Sequence, residues 1–223
     1  MKKTILLVLC LGLGIFVLAG CSNNSEPFEE KSYTPDTQVS KINLDVRDRE
    51  IVVSLSEDEQ VHIGYSENSK EHYNISVSDE GVLTMASAND KEWTDYIGGK
   101  PSVEDRKIVL QIPDTLLDSL SLSTTNEDVS LPALAVKGSI SVSSNGGNIT
   151  FQTLDVGNAL TLTVKNGDIS GTIIGSYDDF AIQTKIKKGE SNLPEQKDDG
   201  TKKLNVSCNN GDVSIDFKRS ATQ

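Results

Sequence analysis

The fold is decided by four stretches that repeat one pattern: SLSLSTTNEDVSL (119–131), SISVSSNGGNITF (139–151), ALTLTVKNGDISG (159–171) and KKLNVSCNNGDVSID (202–216). Each alternates apolar and small polar residues, reaches a two-residue turn signal, and sets one Asp or Asn just before the alternation resumes. The aligned residues are Asp128, Asn148, Asp168 and Asp212, at steps of 20, 20 and 44. A degenerate copy, IQTKIKKGESNL, fills the long step and puts Glu190 at two steps of 22. Self-similarity at such a period is the mark of a stacked repeat architecture, in which no single unit can bury its own apolar face.

Side chains alternate across a strand, so positions four, six and eight before each aligned residue share a face. They read Thr124/Leu122/Leu120, Ser144/Val142/Ile140, Val164/Leu162/Leu160, Ile186/Thr184/Ile182 and Cys208/Val206/Leu204. Val129, Ile149, Ile169 and Val213 follow the aligned residue and extend the apolar set. The pairs Gly146-Gly147, Asn166-Gly167 and Asn210-Gly211 accept positive φ cheaply and suit a tight reversal. The runs are β-branched and rich in Ser and Thr, which argues against helix. The expectation is an all-β solenoid, a single-stranded β-helix of about six coils with an irregular N-terminal cap.

Outward from the repeats, residues 1–20 read as a lipoprotein signal peptide. Lys2-Lys3 precede an apolar run, Thr4 to Val17, too short for a comfortable membrane span. The run ends in Leu18-Ala19-Gly20-Cys21, which resembles the lipobox of bacterial lipoproteins. The resemblance implies cleavage between Gly20 and Cys21 and lipidation of Cys21. Two buried acyl chains, such as palmitate, are enough for stable attachment to the bilayer. The expected location is the extracytoplasmic face of the cell membrane. The alternative is an ordinary secretory signal or an uncleaved anchor helix.

The formal charge is −12, and −14 without Lys2 and Lys3. An acidic ectodomain argues against nucleic acid as a partner and against adhesion to anionic headgroups. Of three cysteines, Cys10 leaves with the signal and Cys21 carries lipid, so Cys208 stands alone with no internal disulfide open to it. Its inward position reads as a small buried hydrophobe rather than a reactive thiol.

Residues 21–36, the lipidated Cys and a polar stretch with Pro27 and Pro35, read as a flexible tether with a reach of roughly 20 Å. The repeat domain is expected over 37–218 and a disordered tail over 219–223. INLDVRDREIVVSL fits a first coil with Glu50 at the aligned position. Strand-like runs at Gln60–Tyr65, Tyr73–Val77, Val82–Ala86 and Lys107–Ile112 read as a cap, since terminal units of solenoids are atypical. The loop Ala88–Arg106 carries the single Trp, Trp93, and Tyr96, which are candidate partner contacts; the plain alternative is that Trp93 folds back onto the solenoid. Lys187–Lys203 reads as a solvated insertion.

The series KIVLQIPDTLLDSLSLSTTNEDVSL, SSNGGNITF, VKNGDISG and CNNGDVSID resembles the "putative adhesin" family of bacterial cell-envelope β-strand-repeat domains, over about residues 37–218. The resemblance implies a single-stranded β-helix-like solenoid on the cell surface or in the envelope, in a family mostly without a known biochemical activity. Glu127, where the family pattern has Gly, and the eroded KKGESNL copy depart from it.

Chemistry is sparse. His62 and His72 lie in no metal-ligand spacing and read as exposed strand residues. Nucleophile-elbow, P-loop and dinucleotide signatures are lacking. The aligned acids Asp128, Asp168, Glu190 and Asp212 form a candidate row for a weakly bound cation such as calcium. The competing reading is that each accepts N–H bonds within its own turn. No cofactor is implied and no enzyme is expected. The expected role is binding, adhesion or envelope sensing, with wall glycan or an envelope protein as partner. The alternatives are a structural spacer or docking scaffold and, third, a polysaccharide-acting enzyme.

Overall fold

The computed structural model describes residues 26–90, 100–113 and 117–219. Its strands are β1 (Glu29–Tyr33), β2 (Lys41–Asp45), β3 (Glu50–Leu55), β4 (His62–Glu67), β5 (Glu71–Val77), β6 (Val82–Asn89), β7 (Lys107–Ile112), β8 (Leu117–Thr124) and β9 (Val129–Leu131). They continue with β10 (Leu134–Ser144), β11 (Ile149–Val156), β12 (Ala159–Asn166), β13 (Ile169–Ile174), β14 (Phe180–Lys188), β15 (Gln196–Lys197), β16 (Lys202–Asn210) and β17 (Val213–Lys218). All belong to one curled sheet of 17 strands.

Parallel strands run in register along two sides of a common core. One side is ordered β6, β2, β8, β10, β12, β16, β14. The other is ordered β7, β3, β9, β11, β13, β17. A short third side joins Leu134–Val136 to Leu154–Val156. The alternation seen in the sequence becomes burial. Leu120, Leu122, Ile140, Val142, Leu160, Leu162, Leu204 and Val206 are at most 2% exposed and meet Val129, Ile149, Ile169 and Val213 across the interior.

The rungs are not stacked in chain order throughout. β2 and β3 lie against β8 and β9, although Glu50 and Asp128 are 78 residues apart. The intervening chain turns away and builds the end of the stack. There β6 and β7 form the outer rung, with β5 antiparallel to β6 and β4 antiparallel to β7. The same device recurs at the other end. β16 and β17 lie directly on β12 and β13, and β14, which precedes them in sequence, lies outside them. The copy containing Glu190 is therefore no intermediate coil between those of Asp168 and Asp212; it caps the second one. The physical reason is the free edge. A rung left at the end exposes a row of N–H and C=O groups, and an excursion that folds back covers it.

Two further expectations are corrected. The stretch taken as tether contains β1, which pairs antiparallel with β4 from Glu29↔Glu67 to Tyr33↔Ile63 and adds a Lys31–Glu67 ion pair of 2.8 Å. The sheet thus begins before residue 37. Nor is Lys187–Lys203 merely solvated: Leu193 is buried, β15 pairs with Ile182 and Gln183, and Ser191 bridges to Val213.

Candidate functional site

Three features of the stack carry polar groups in an organised way: the turn edge, the cap, and the outward side of the long strands. At the turn edge the aligned residues form a ladder. Oδ1 of Asp128 accepts the N–H of Asn148 (2.7 Å), Oδ1 of Asn148 that of Asp168 (2.8 Å), Oδ1 of Asp168 that of Asp212 (2.8 Å) and Oδ1 of Asp212 that of Glu190 (2.8 Å). The N–H after each aligned residue answers in the opposite direction, as from Val129 to the Asn148 carbonyl and from Ile169 to that of Asp212, both 2.9 Å. The acceptor role expected for these residues is right, but the donor lies one rung along rather than in the same turn. Asp128, Asn148, Asp168 and Asp212 each present a short side chain with an sp² oxygen to the next rung. Glu50, on the Asp128 rung's other side, turns to Lys107 and leaves that step to the backbone bond from Ile51 to the Asp128 carbonyl. Glu190 ends the column and has no rung to serve, which is why the longer acid is accepted there.

The glycine before the aligned residue follows from the same closeness. A Cβ on Gly211, whose φ is +146°, would stand 2.1 Å from the Gly167 carbonyl oxygen. Glu127, the exception, pairs instead with Arg106 and with Lys100, the latter at 3.4 Å. The row of acids is thus an edge of backbone acceptors. Among the described residues no three His, Cys, Asp or Glu side chains group in a way that could hold a metal ion.

The cap is fastened to the first coil by Arg49, which sequence reasoning passed over. It is 2% exposed, its Nε donates to the Tyr73 hydroxyl at 2.6 Å, and its NH2 group lies 3.0 Å from Glu71. The ring of Phe28 also lies within 5.7 Å of the guanidinium. Burial, the largest influence, pushes the Tyr73 hydroxyl up from its ordinary pKa. Beside it, Asp48 (φ 52°) receives hydrogen bonds from Asn126 (2.6 Å) and Thr125 (3.1 Å). Burial pushes the Asp48 carboxyl up, yet these bonds and the charges of Lys100 and Arg49 outweigh it and hold it below its ordinary value. Only the local pattern of an Asp in a tight turn could have flagged this residue.

The outward side of the long strands is different in kind. Register aligns Asn43, Ser121, Ser141, Thr161, Asn205 and Gln183 in one column across β2, β8, β10, β12, β16 and β14. None of these side chains hydrogen-bonds to another described residue. Flanking positions on β8 and β10 are serines as well, Ser119 and Ser123 beside Ser139 and Ser143.

The remaining candidates separate. Gly20, Cys21, Trp93 and Tyr96 lie outside the described residues. Cys208 is buried, with Sγ 3.3 Å from the Gly211 carbonyl, and burial followed by the charge of Asp168 pushes its thiol up from the ordinary pKa. His62 is partly exposed and sits between Thr34 (2.8 Å) and Asp58 (2.9 Å). His72 lies on β5, half-buried and facing a shallow cleft.

The family model described as Toastrack DUF4097 matches residues 39–223. The chain belongs to this family. Among solved structures, a "putative cell adhesion protein" from Clostridium sporogenes ATCC 15579 is 12% identical, with a TM-score of 0.53 over 85% of this chain and 100% of that one. A "putative adhesin" from Bacteroides fragilis NCTC 9343 is 15% identical, with a TM-score of 0.37 over 87% of this chain and 98% of that one. One from Parabacteroides merdae ATCC 43184 is 17% identical, with a TM-score of 0.36 over 84% and 80%. At these identities the likeness to the Clostridium protein shows a shared fold and nothing further. A search of curated proteins returns no match.

Proposed function

We propose that this Toastrack chain is a membrane-anchored extracytoplasmic lipoprotein whose β-solenoid of single-stranded coils binds a polar component of the cell envelope and performs no catalysis. The observation that carries the binding reading is the unengaged column of neutral side chains on the long strands. Adhesin-type names among the structural neighbours agree with it. The anchoring reading rests on the basic start, the apolar run and Leu18-Ala19-Gly20-Cys21.

The ordered chain begins closer to Cys21 than a tether over 21–36 has it. Asn68 donates to the Glu26 carbonyl at 3.1 Å and Ser69 bonds to the Glu26 carboxylate, so the chain is fastened to the β4–β5 turn from Glu26 onward. Five peptide steps separate Cys21 from Glu26, which span at most about 18 Å when fully extended. A lipid on Cys21 would hold the cap end close to the membrane.

The test has two arms. Cys21→Ser should release the protein from the membrane fraction, and retention of that variant would end the lipoprotein reading. The ectodomain from residue 22 should be retained by purified cell wall and not by membrane extract; the reverse pattern would favour the docking scaffold.

A further inference from the structure

We infer that the column Asn43, Ser121, Ser141, Thr161, Asn205 and Gln183 is a recognition strip for an uncharged, β-1,4-linked glycan chain lying along the stack axis. The inference rests on the glycan form of the binding reading above and names its site, its ligand class and its direction.

Charge is the first support. The chain is 24% charged and carries −12 overall, yet this column crosses six strands without an ionisable group. Charged residues enter only in the flanking columns, Lys41 and Lys203 on one side and Asp45 and Lys185 on the other, with both signs present and no run of either along the strip. The second support is the contrast with the turn edge. There, Asp and Asn side chains are consumed by the ladder, whereas on the strip every hydroxyl and amide is left for an outside partner. The third is the period. In-register strands repeat about every 4.8 Å, so the strip offers hydroxyls and amides, each able to donate and to accept, over roughly 24 Å. A β-1,4-linked chain is a straight ribbon whose disaccharide repeat is close to two rungs, about 9.6 Å. An α-linked chain coils and leaves the strip after a few sugars. A small sugar would gain little, because the strip encloses nothing. A long chain adds many weak bonds made at high effective concentration.

The experiment uses the ectodomain from residue 22 with insoluble chitin and cellulose as uncharged probes. Purified wall and an envelope-protein extract are run in parallel. Two triple variants are compared: Ser121→Lys, Ser141→Lys, Thr161→Lys on the strip, and Ser130→Lys, Thr150→Lys, Ser170→Lys on the neighbouring side, where the register also aligns them. Both add the same charge to outward positions, and a third variant replaces the strip residues by Ala to guard against misfolding. Wild type and the neighbouring-side triple should bind an uncharged glycan equally, the Lys strip triple at least tenfold less, and the Ala triple several-fold less. If wild type binds glycan but the strip variants bind as well as wild type, the strip is wrong while glycan binding stands. If wild type is retained only by protein, or by wall but by neither uncharged glycan, this ligand class is overturned. Retention by nothing would remove the binding reading as well.

Discussion

Excising Tyr177–Gly200 should leave a folded, cooperative protein, whereas removing the residues from Thr201 onward should not. The excised segment has 24 residues, and its loss shortens the step from Asp168 to Asp212 from 44 to 20, the period of the regular coils. It also leaves the β12–β16 and β13–β17 pairings intact, because β14 lies outside them. The large apolar side chains lost from the core are Phe180, Ile182 and Leu193, worth about 5–9 kcal/mol of burial at 1.5–3 kcal/mol each. The ordering entropy of the same segment disappears with it, so the net loss is smaller than that figure. Truncation before Thr201 instead takes Leu204, Val206 and Cys208 from between β12 and β14, and Val213 and Ile215 from beside β13. At the same rate that is about 8–15 kcal/mol, comparable to the whole stability of a domain. Far-UV circular dichroism and urea unfolding, at concentrations low enough to keep the new free edge of β16 from self-pairing, distinguish the cases. Loss of the cooperative transition in the excision variant, or its survival in the truncation, would refute the rung order argued here.

Other perturbations test the turn edge and the cap. Gly211→Ala should destabilise by about 2–4 kcal/mol in urea unfolding, because the added Cβ meets the Gly167 carbonyl at 2.1 Å in a positive-φ residue. Arg49→Ala should cost about 3 kcal/mol by stripping the buried pairing from Glu71 and Tyr73, whereas Arg49→Met, which fills the same space, should cost less. Asp48 has a folded-state pKa below its unfolded one, so its contribution is present above about pH 4 and is lost as the pH falls through the folded value. Asp48→Asn, which also tolerates positive φ, should flatten the fall in thermal midpoint over that acidic window; an unchanged acid profile would show that the Asn126 and Thr125 bonds do not couple to folding.

Much of the fold could be read in the sequence because the interior of the curled sheet is written at period two. Every apolar position predicted from the Asp128, Asn148, Asp168 and Asp212 copies is buried, and Lys107–Ile112 forms a strand over the span expected. What could not be read was adjacency. Pattern tells which residues face inward in a rung but not which rung lies next to which, and the Glu190 copy is similar enough to pass for the intermediate coil. Its erosion was the signal: Ile186 is only partly buried there and Lys185, Lys187 and Lys188 project outward, as suits a rung with a neighbour on one side only. β1 was hidden for a related reason. EEKSY carries no alternation, since β1 lies on β4 at the margin of the sheet and buries little. Arg49 and Glu71 are far apart in sequence and charged, so nothing but the fold brings them together.

The ladder, the caps and the strip depend on one another. A sheet of many strands ordinarily twists by about 20° per strand, which would fan a column of side chains apart; extended untwisted stacks are held by side-chain ladders. Here each step from Asp128 to Glu190 along the turn edge is fixed twice, once through an Asx oxygen and once through a backbone bond running the opposite way. That pairing forbids a slip of one residue, and a slip would turn the strip inward and the leucines out. The excursions cover the end rungs unequally: β5 pairs with β6 along its length, whereas β15 covers only Ile182 and Gln183 of β14. If Cys21 bears the lipid, the short link to Glu26 puts the cap end toward the bilayer and runs the strip from Asn43 outward to Gln183. A glycan lying along the strip would then run away from the bilayer, from Asn43 toward Gln183, beside a post held close to the membrane.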